Sequence, residues 1–160
     1  MKILAVQSRM GIGDTVIFLP FIKALSKKFN SPISILVKEN SKANQYLHQT
    51  KYIDKILTLE RDNKTNNRHG GFFGIFKLAN DLKKYKFDKI FIFNSSLRFN
   101  LVAKISGIPQ IYQYPLFAKN KQHIIEAPKK FLKENLNLDI NEDPEVQCDN
   151  DSISKAAQKF

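Results

Sequence analysis

Along this chain, short apolar runs alternate with longer stretches in which apolar residues return every three or four positions. Ile3–Val6 is an unbroken apolar run, the pattern of a strand covered on both faces. Phe18, Ile22, Leu25 and Phe29 follow at helical spacing and predict one helix face. Pro20 is placed in the first turn of the main helical segment, after a short entry turn from Asp14. Residues 33–37, introduced by Pro32, predict a second strand, 42–47 a short helix and 54–59 a third strand. Phe72, Ile75, Ala79 and Leu82, with Leu78 beside them, predict the buried face of another helix. Residues 89–93 read as a fourth strand. The turn Asn94-Ser95-Ser96-Leu97-Arg98 leads into a helix with Ser95 or Ser96 as its cap. A short fifth strand at 110–112 and a last helix at 123–136, with Pro128 early in it, complete the pattern.

Repeated strand–helix alternation predicts an α/β protein: a Rossmann-like, three-layer α/β/α sandwich around a mostly parallel sheet. Right-handed crossovers then bring every strand's C-terminal end to one edge. The ligand-bearing loops are expected after strands one, three and four, at 7–14, 60–71 and 94–98. The loop at 60–71, ERDNKTNNRHGG, exceeds the usual connection of about 4–6 residues and is a candidate functional loop.

Composition narrows the classes. The 160 residues are 42% hydrophobic and 26% charged, ordinary for a globular domain. The one cysteine, Cys148, excludes an intrachain disulfide framework and a Cys-rich zinc site and fits a reducing cytoplasm. No apolar run approaches the roughly 18 residues of a membrane span, and the N-terminus lacks the pattern of a signal peptide. The net charge of +11 is uneven: residues 139–160 hold six acids and two lysines, whereas residues 1–138 hold 24 bases and nine acids. Such a basic body suits an anionic partner, namely nucleic acid, anionic lipid or a phosphorylated glycan, although a solvated lysine-rich surface gives the same statistic. The composition divides the chain into a Rossmann-like domain at 1–138 and an acidic linker with the start of a helix at 139–160.

The motif with most chemistry is Gly11-Ile12-Gly13-Asp14 after the first strand. A dinucleotide fingerprint requires a third glycine three residues after the second, where this chain has Val16, and no Gly-Lys-Ser/Thr of a P-loop is present. A carboxylate at a helix N-terminus satisfies the free amides itself and repels phosphate. Asp14 is therefore either a helix cap or a carboxylate that takes a proton from a hydroxyl. Arg61, Lys64, Arg68 and His69 in the long loop, and Lys119, Lys121 and His123 near the last helix, are either anion-binding groups or solvated charges. The three histidines show no metal spacing, no RNA-binding signature is present, and Tyr112 and Tyr114 read as core or edge aromatics.

The opening KILAVQSRMGIGDTVIFLPFIKALSKKFNSPISILV resembles the N-terminal half of glycosyltransferase family 9, the heptosyltransferases. The resemblance continues through YIDKILTLER, KKYKFDKIFIFNSSLRFNLVAKISGIPQIYQY and KQHIIEAPKKFLKENLNL, and Gly13-Asp14 with Pro20 is its most specific part. It implies a GT-B fold, in which two Rossmann-like domains face a cleft, with this chain as the N-terminal, acceptor-binding half. It further implies inverting transfer of a sugar from a nucleotide-sugar donor, ADP-heptose in the family, onto the anionic inner core of lipopolysaccharide. Asp14 would be the general base, and Gly13 would share its motif at the acceptor. Arg61, Lys64, Lys119, Lys121 and His123 would bind the acceptor's acidic groups by region, while Ser95 and Arg98, with Ser96, match the polar turn after strand four. No cofactor and no metal is implied, and nucleic acid is not an expected partner. The expected location is the cytoplasm, with peripheral contact at the inner membrane's cytoplasmic face. Two positions depart from the family pattern: Gln110-Ile111-Tyr112-Gln113 stands where relatives carry Arg-Ile-Gly-Tyr, and Asn94 where an acid is common. Relatives are about twice as long, by the two-domain expectation. The chain is therefore read as truncated, lacking its C-terminal donor domain and inactive alone. The alternative is a stand-alone Rossmann-type anion- or nucleotide-binding module with Asp14 as a cap.

Overall fold

The apolar first strand becomes the centre of a sheet covered on both faces. A computed structural model describes residues 1–9, 11–61, 65–117 and 123–146, with positions 154, 157 and 158. In chain order these form β1 (Ile3–Val6), α1 (Ile12–Phe29), β2 (Ile33–Lys38), a 3-10 turn (Glu39–Ser41), α2 (Ala43–Tyr46) and β3 (Ile53–Leu59). Then come α3 (Phe73–Lys83), β4 (Lys89–Ile92), α4 (Leu97–Ile105), β5 (Gln110–Gln113) and α5 (Glu126–Leu136). The five strands are parallel and run β3-β2-β1-β4-β5 across the sheet.

Alternate residues of each strand feed opposite cores. Ile3 and Ala5 of β1, with Phe91 of β4, pack under α1 and α5, where Phe18, Phe21, Leu25 and Leu132 close the layer. Leu4, Val6, Ile90 and Ile92 face the other way, onto Ile75, Leu78 and Leu82 of α3 and Val102 of α4. Right-handed crossovers explain the division. The chain moves from β1 to β3 with α1 on one face, then returns past β1 to β4 with α3 on the opposite face. The strand order therefore reverses between β1 and β4, which is where open α/β sheets form a crevice.

Several sequence expectations are corrected. The helix α1 is continuous from Ile12, so Pro20 lies inside it rather than in a first turn. An interior proline forfeits a helical hydrogen bond and costs about 3 kcal/mol. Burial of its neighbours Phe18, Leu19, Phe21 and Ile22 opposes that cost. Phe72, placed by spacing on the buried face of α3, precedes the helix and is 68% exposed. Gly71, at φ +60°, turns the chain there, and Gly74 takes the position against the loop. A Cβ on Gly74 would lie 2.2 Å from the backbone carbon of His69, so the close approach of α3 to the loop requires glycine. The last helix starts at Glu126 rather than 123, because His123 is spent on its entry: its Nδ1 accepts from the backbone N–H groups of Ile125 (3.4 Å) and Glu126 (3.5 Å).

The acidic segment after α5 folds back on the basic end of α1. Ile140 is buried in the core, and Glu142 pairs with Lys23 at 3.2 Å and with Lys27. The hydrogen bonds and charges of Lys27 and Lys23 hold the Glu142 carboxyl below its ordinary value.

Candidate functional site

The reversal point between β1 and β4 holds a cleft of about 310 Å³. Its floor comes from the residues that directly follow the two strands, Gln7-Ser8-Arg9 after β1 and Phe93-Asn94-Ser95 after β4. Phe18 of α1 and Tyr114, which follows β5, form an aromatic wall, and His123 with Ile124 closes the side next to α5.

Each part of the floor is fixed by its own hydrogen bonds. Gln7 is buried; its backbone N–H extends the sheet to Leu36 O (3.1 Å), and its Oε1 accepts from the Arg9 N–H (2.6 Å). Its Nε2 reaches the backbone carbonyl of Asp14 at 3.4 Å, which ties the β1 turn to the start of α1. Asn94 links the two halves: Nδ2 donates to Ser8 Oγ (2.6 Å), while Oδ1 accepts from the Ser96 N–H (2.6 Å). Gln113 Nε2 donates to the carbonyls of Asn94 and Ser96, both at 2.9 Å, so β5 holds the β4 turn in place. In the wall, Phe93 meets Phe18 edge-on at 4.5 Å and Tyr114 at 5.9 Å. Burial pushes the Tyr114 hydroxyl well above the ordinary phenol range, against the opposing charge of Arg9.

Asp14 is not among the residues that line this cleft, and it does not act as a cap. The N-cap of α1 is Gly11, at φ +104°, a conformation that favours glycine, and no side chain caps the helix. Asp14 is in the first helical turn, one turn before Phe18 and on the same face. Its Oδ2 would lie 3.9 Å from a Cβ built on Gly11, and the carboxylate makes no hydrogen bond or ion pair among the described residues. The helix-cap alternative is thereby corrected: the turn closes on glycine, and Thr15 Oγ1, not Asp14, bonds back to Gly11 O (3.1 Å). Gly13 is exposed, and a Cβ there would meet nothing within 4 Å.

The structure separates the remaining candidates. Ser95 and His123 line the cleft, whereas Ser96 caps α4 by accepting from the Arg98 N–H at 3.3 Å. Arg98 points away from the cleft into the 60–71 loop, where its guanidinium donates to the carbonyls of Gly71 (2.8 Å) and His69. Arg61 follows β3 at the far edge of the sheet, beyond β2, and does not line the cleft. Lys64, Lys119 and Lys121 lie outside the described residues. Gln7, Ser8, Arg9, Asn94 and Tyr114 were not singled out as site residues by sequence. The available signal was positional: Gln7, Ser8, Arg9 and Asn94 follow the two strands that flank the reversal, and Tyr114 follows the next strand, β5. Tyr112, by contrast, stacks on Phe91 at 4.6 Å as an edge aromatic.

No protein-family model matches the sequence, and no curated protein matches it by sequence. Solved structures do match. A glycosyl transferase family 9 protein from Veillonella parvula superposes with a TM-score of 0.73 over 98% of this chain and 48% of its own, at 17% identity. The ADP-heptose lps heptosyltransferase II of E. coli gives 0.67 over 100% of this chain and 50% of its own, at 16% identity. This chain has the glycosyltransferase-like fold of one half of those proteins. A third match, E. coli heptosyltransferase WaaC solved with ADP-2-deoxy-2-fluoro heptose, gives 0.56 at 12% identity, over 93% of this chain and 51% of its own. The chain thus spans about half the length of each of these three structures.

Proposed function

We propose that this chain is the acceptor-binding half of an inverting glycosyltransferase of the heptosyltransferase kind, with Asp14 as general base. The observation that carries the reading is the uncapped Asp14 carboxylate one helical turn from a polar, aromatic-walled cleft at the reversal of the sheet. Such a cleft suits an anionic sugar: Ser8, Asn94 and Ser95 offer hydrogen bonds, Phe18 and Tyr114 offer apolar faces, and Arg9 and His123 lie at the acidic groups. In the reaction the acceptor hydroxyl gives its proton to Asp14 as its oxygen bonds the anomeric carbon. The bond from that carbon to the donor's phosphate oxygen breaks, and the electron pair leaves with the nucleotide diphosphate. A single carboxylate base opposite the leaving group is the arrangement of inverting sugar chemistry.

The donor is a nucleotide-sugar, ADP-heptose by likeness to the neighbours, held by a second domain, and the acceptor is the anionic inner core of lipopolysaccharide. The protein works at the cytoplasmic face of the inner membrane. In an enzyme completed by a donor domain, Asp14→Asn is expected to lower turnover by about 10²-fold while acceptor binding is kept. Turnover near that of the parent would refute the base. The 160-residue chain titrated alone is expected to bind Kdo-lipid A and not ADP; the reverse preference would favour a nucleotide-binding module.

A further inference from the structure

The helix face left over after α3 and α4 cover the sheet is apolar where solvent should meet it. Phe72, Phe73 and Phe76 are 68%, 76% and 48% exposed, and their rings touch one another rather than the core. Phe72 meets Phe73 at 6.1 Å and Phe76 at 5.6 Å, both close to edge-on. On the neighbouring helix α4, Leu97, Leu101 and Ile105 form a second exposed stripe at four-residue spacing. Three clustered, solvent-facing phenylalanines add little to the core, and patches of this kind mark a surface that meets another phase or partner.

Charge identifies which. Residues 65–105 contain eight Lys or Arg and two Asp. Neither acid opposes the patch: Asp81 is bonded to Arg68 (2.7 Å) and His69 (3.1 Å), and Asp88 accepts from the backbone N–H of Lys2 (2.7 Å). Lys77, beside Phe76, and Lys104, beside Ile105, are exposed. Aromatic rings flanked by long basic side chains match a lipid interface, where rings enter the headgroup layer and ammonium groups meet lipid phosphates. A symmetric dimer through this face would gather Lys77 and Lys104 of both copies in one interface without an acid of residues 65–105 opposite the patch, which like charge opposes.

We propose that Phe72, Phe73 and Phe76, with Lys77 and Lys104, seat this protein on an anionic lipid surface. All three rings sit at or near the N-terminal end of α3, which lies at the same sheet edge as the cleft because α3 follows β3. Seating there would put the sheet edge that carries the cleft next to the lipid surface. The inference deepens the membrane contact of the proposed function by naming the surface that makes it, and its test reads lipid binding and needs no transferase activity.

The chain contains no tryptophan, so Phe73→Trp in the full chain gives a single reporter in a conservative replacement. With phosphatidylglycerol vesicles, its emission is expected to shift to the blue. Phosphatidylcholine vesicles should produce little change, and salt should reverse the shift. Serine at both Phe72 and Phe76 in this background should weaken partitioning at least about tenfold, and Lys77→Glu should weaken it less. The proposal is overturned if phosphatidylglycerol leaves the emission unchanged. It is also overturned if the shift appears without lipid as protein concentration rises, which would mark a second copy as the occupant. The vesicles carry no glycan, so a negative result leaves the transferase reading intact.

Discussion

The cleft between β1 and β4 and the loop at 60–71 lie at the same edge of one sheet and carry similar residue types, yet they have spent them differently. In the loop, polar groups bind one another. The Glu60 N–H donates to His69 Nδ1 (3.0 Å), which leaves the hydrogen on Nε2, and Nε2–H donates to Asp81 (3.1 Å). Arg98 clamps two loop carbonyls from α4. At the cleft, hydrogen bonds from Arg9 to Gln7, Asn94 to Ser8 and Gln113 to Asn94 fix the floor, while one turn before Phe18 the Asp14 carboxylate is engaged by nothing among the described residues. The difference shows that a basic, glycine-containing loop need not be a binding loop. A side chain whose hydrogen bonds close internally builds structure, and one held in place but left open can meet a ligand.

Substitutions can break this contrast. The largest expected effect is the approximately hundredfold loss of turnover in Asp14→Asn, which should leave the thermal midpoint close to the parent's because no folded contact is lost. A large drop in midpoint would make Asp14 structural. Next is Gly74→Ala, which forces a Cβ against the His69 backbone and should cost about 3 kcal/mol in urea denaturation. Unchanged stability would mean that the loop is not tightly seated on α3. Arg98→Ala removes two donors to loop carbonyls and should cost about 2 kcal/mol with little effect on acceptor affinity. Lost affinity at unchanged stability would return Arg98 to the binding surface.

The smallest effect is on pH dependence. Burial raises the Asp81 carboxyl, but the His69 hydrogen bond, the Arg68 charge and Lys84 outweigh it and hold it below the ordinary value of 3.8. A carboxyl lowered in the folded state adds stability above its unfolded pKa and loses it as pH falls through the folded one. Parent and Asp81→Asn midpoints should therefore differ at neutral pH and converge below about pH 4. A difference that persists into acid would separate the loop's stability from this ion cluster.

Most of the sheet was legible because burial on both faces leaves an uninterrupted apolar run, as at Ile3–Val6, and because amphipathic helices repeat their pattern. Pro20 and Phe72 were misplaced for a common reason. Local rules describe an isolated segment, whereas packing held a proline inside α1, and the turn at Gly71 with Gly74 seated against the loop left Phe72 outside α3. The cleft residues were legible only as loops: 7–14 and 94–98 were expected to bear ligands, but that Ser8, Asn94 and Tyr114 share one cleft follows from the strand order that brings them together.

The sequence by itself determined the alternation of strands and helices, the glycine turn after the first strand, the carboxylate that follows it and the basic bias of the body. Those depend on neighbours a few positions apart. Tertiary structure decided that β4 lies beside β1, that Asn94 meets Ser8 across the reversal, and that Arg98 serves a loop instead of the cleft. Each depends on residues tens of positions apart meeting at one sheet edge, where pairing of strands and satisfaction of buried polar groups, not local propensity, set the outcome.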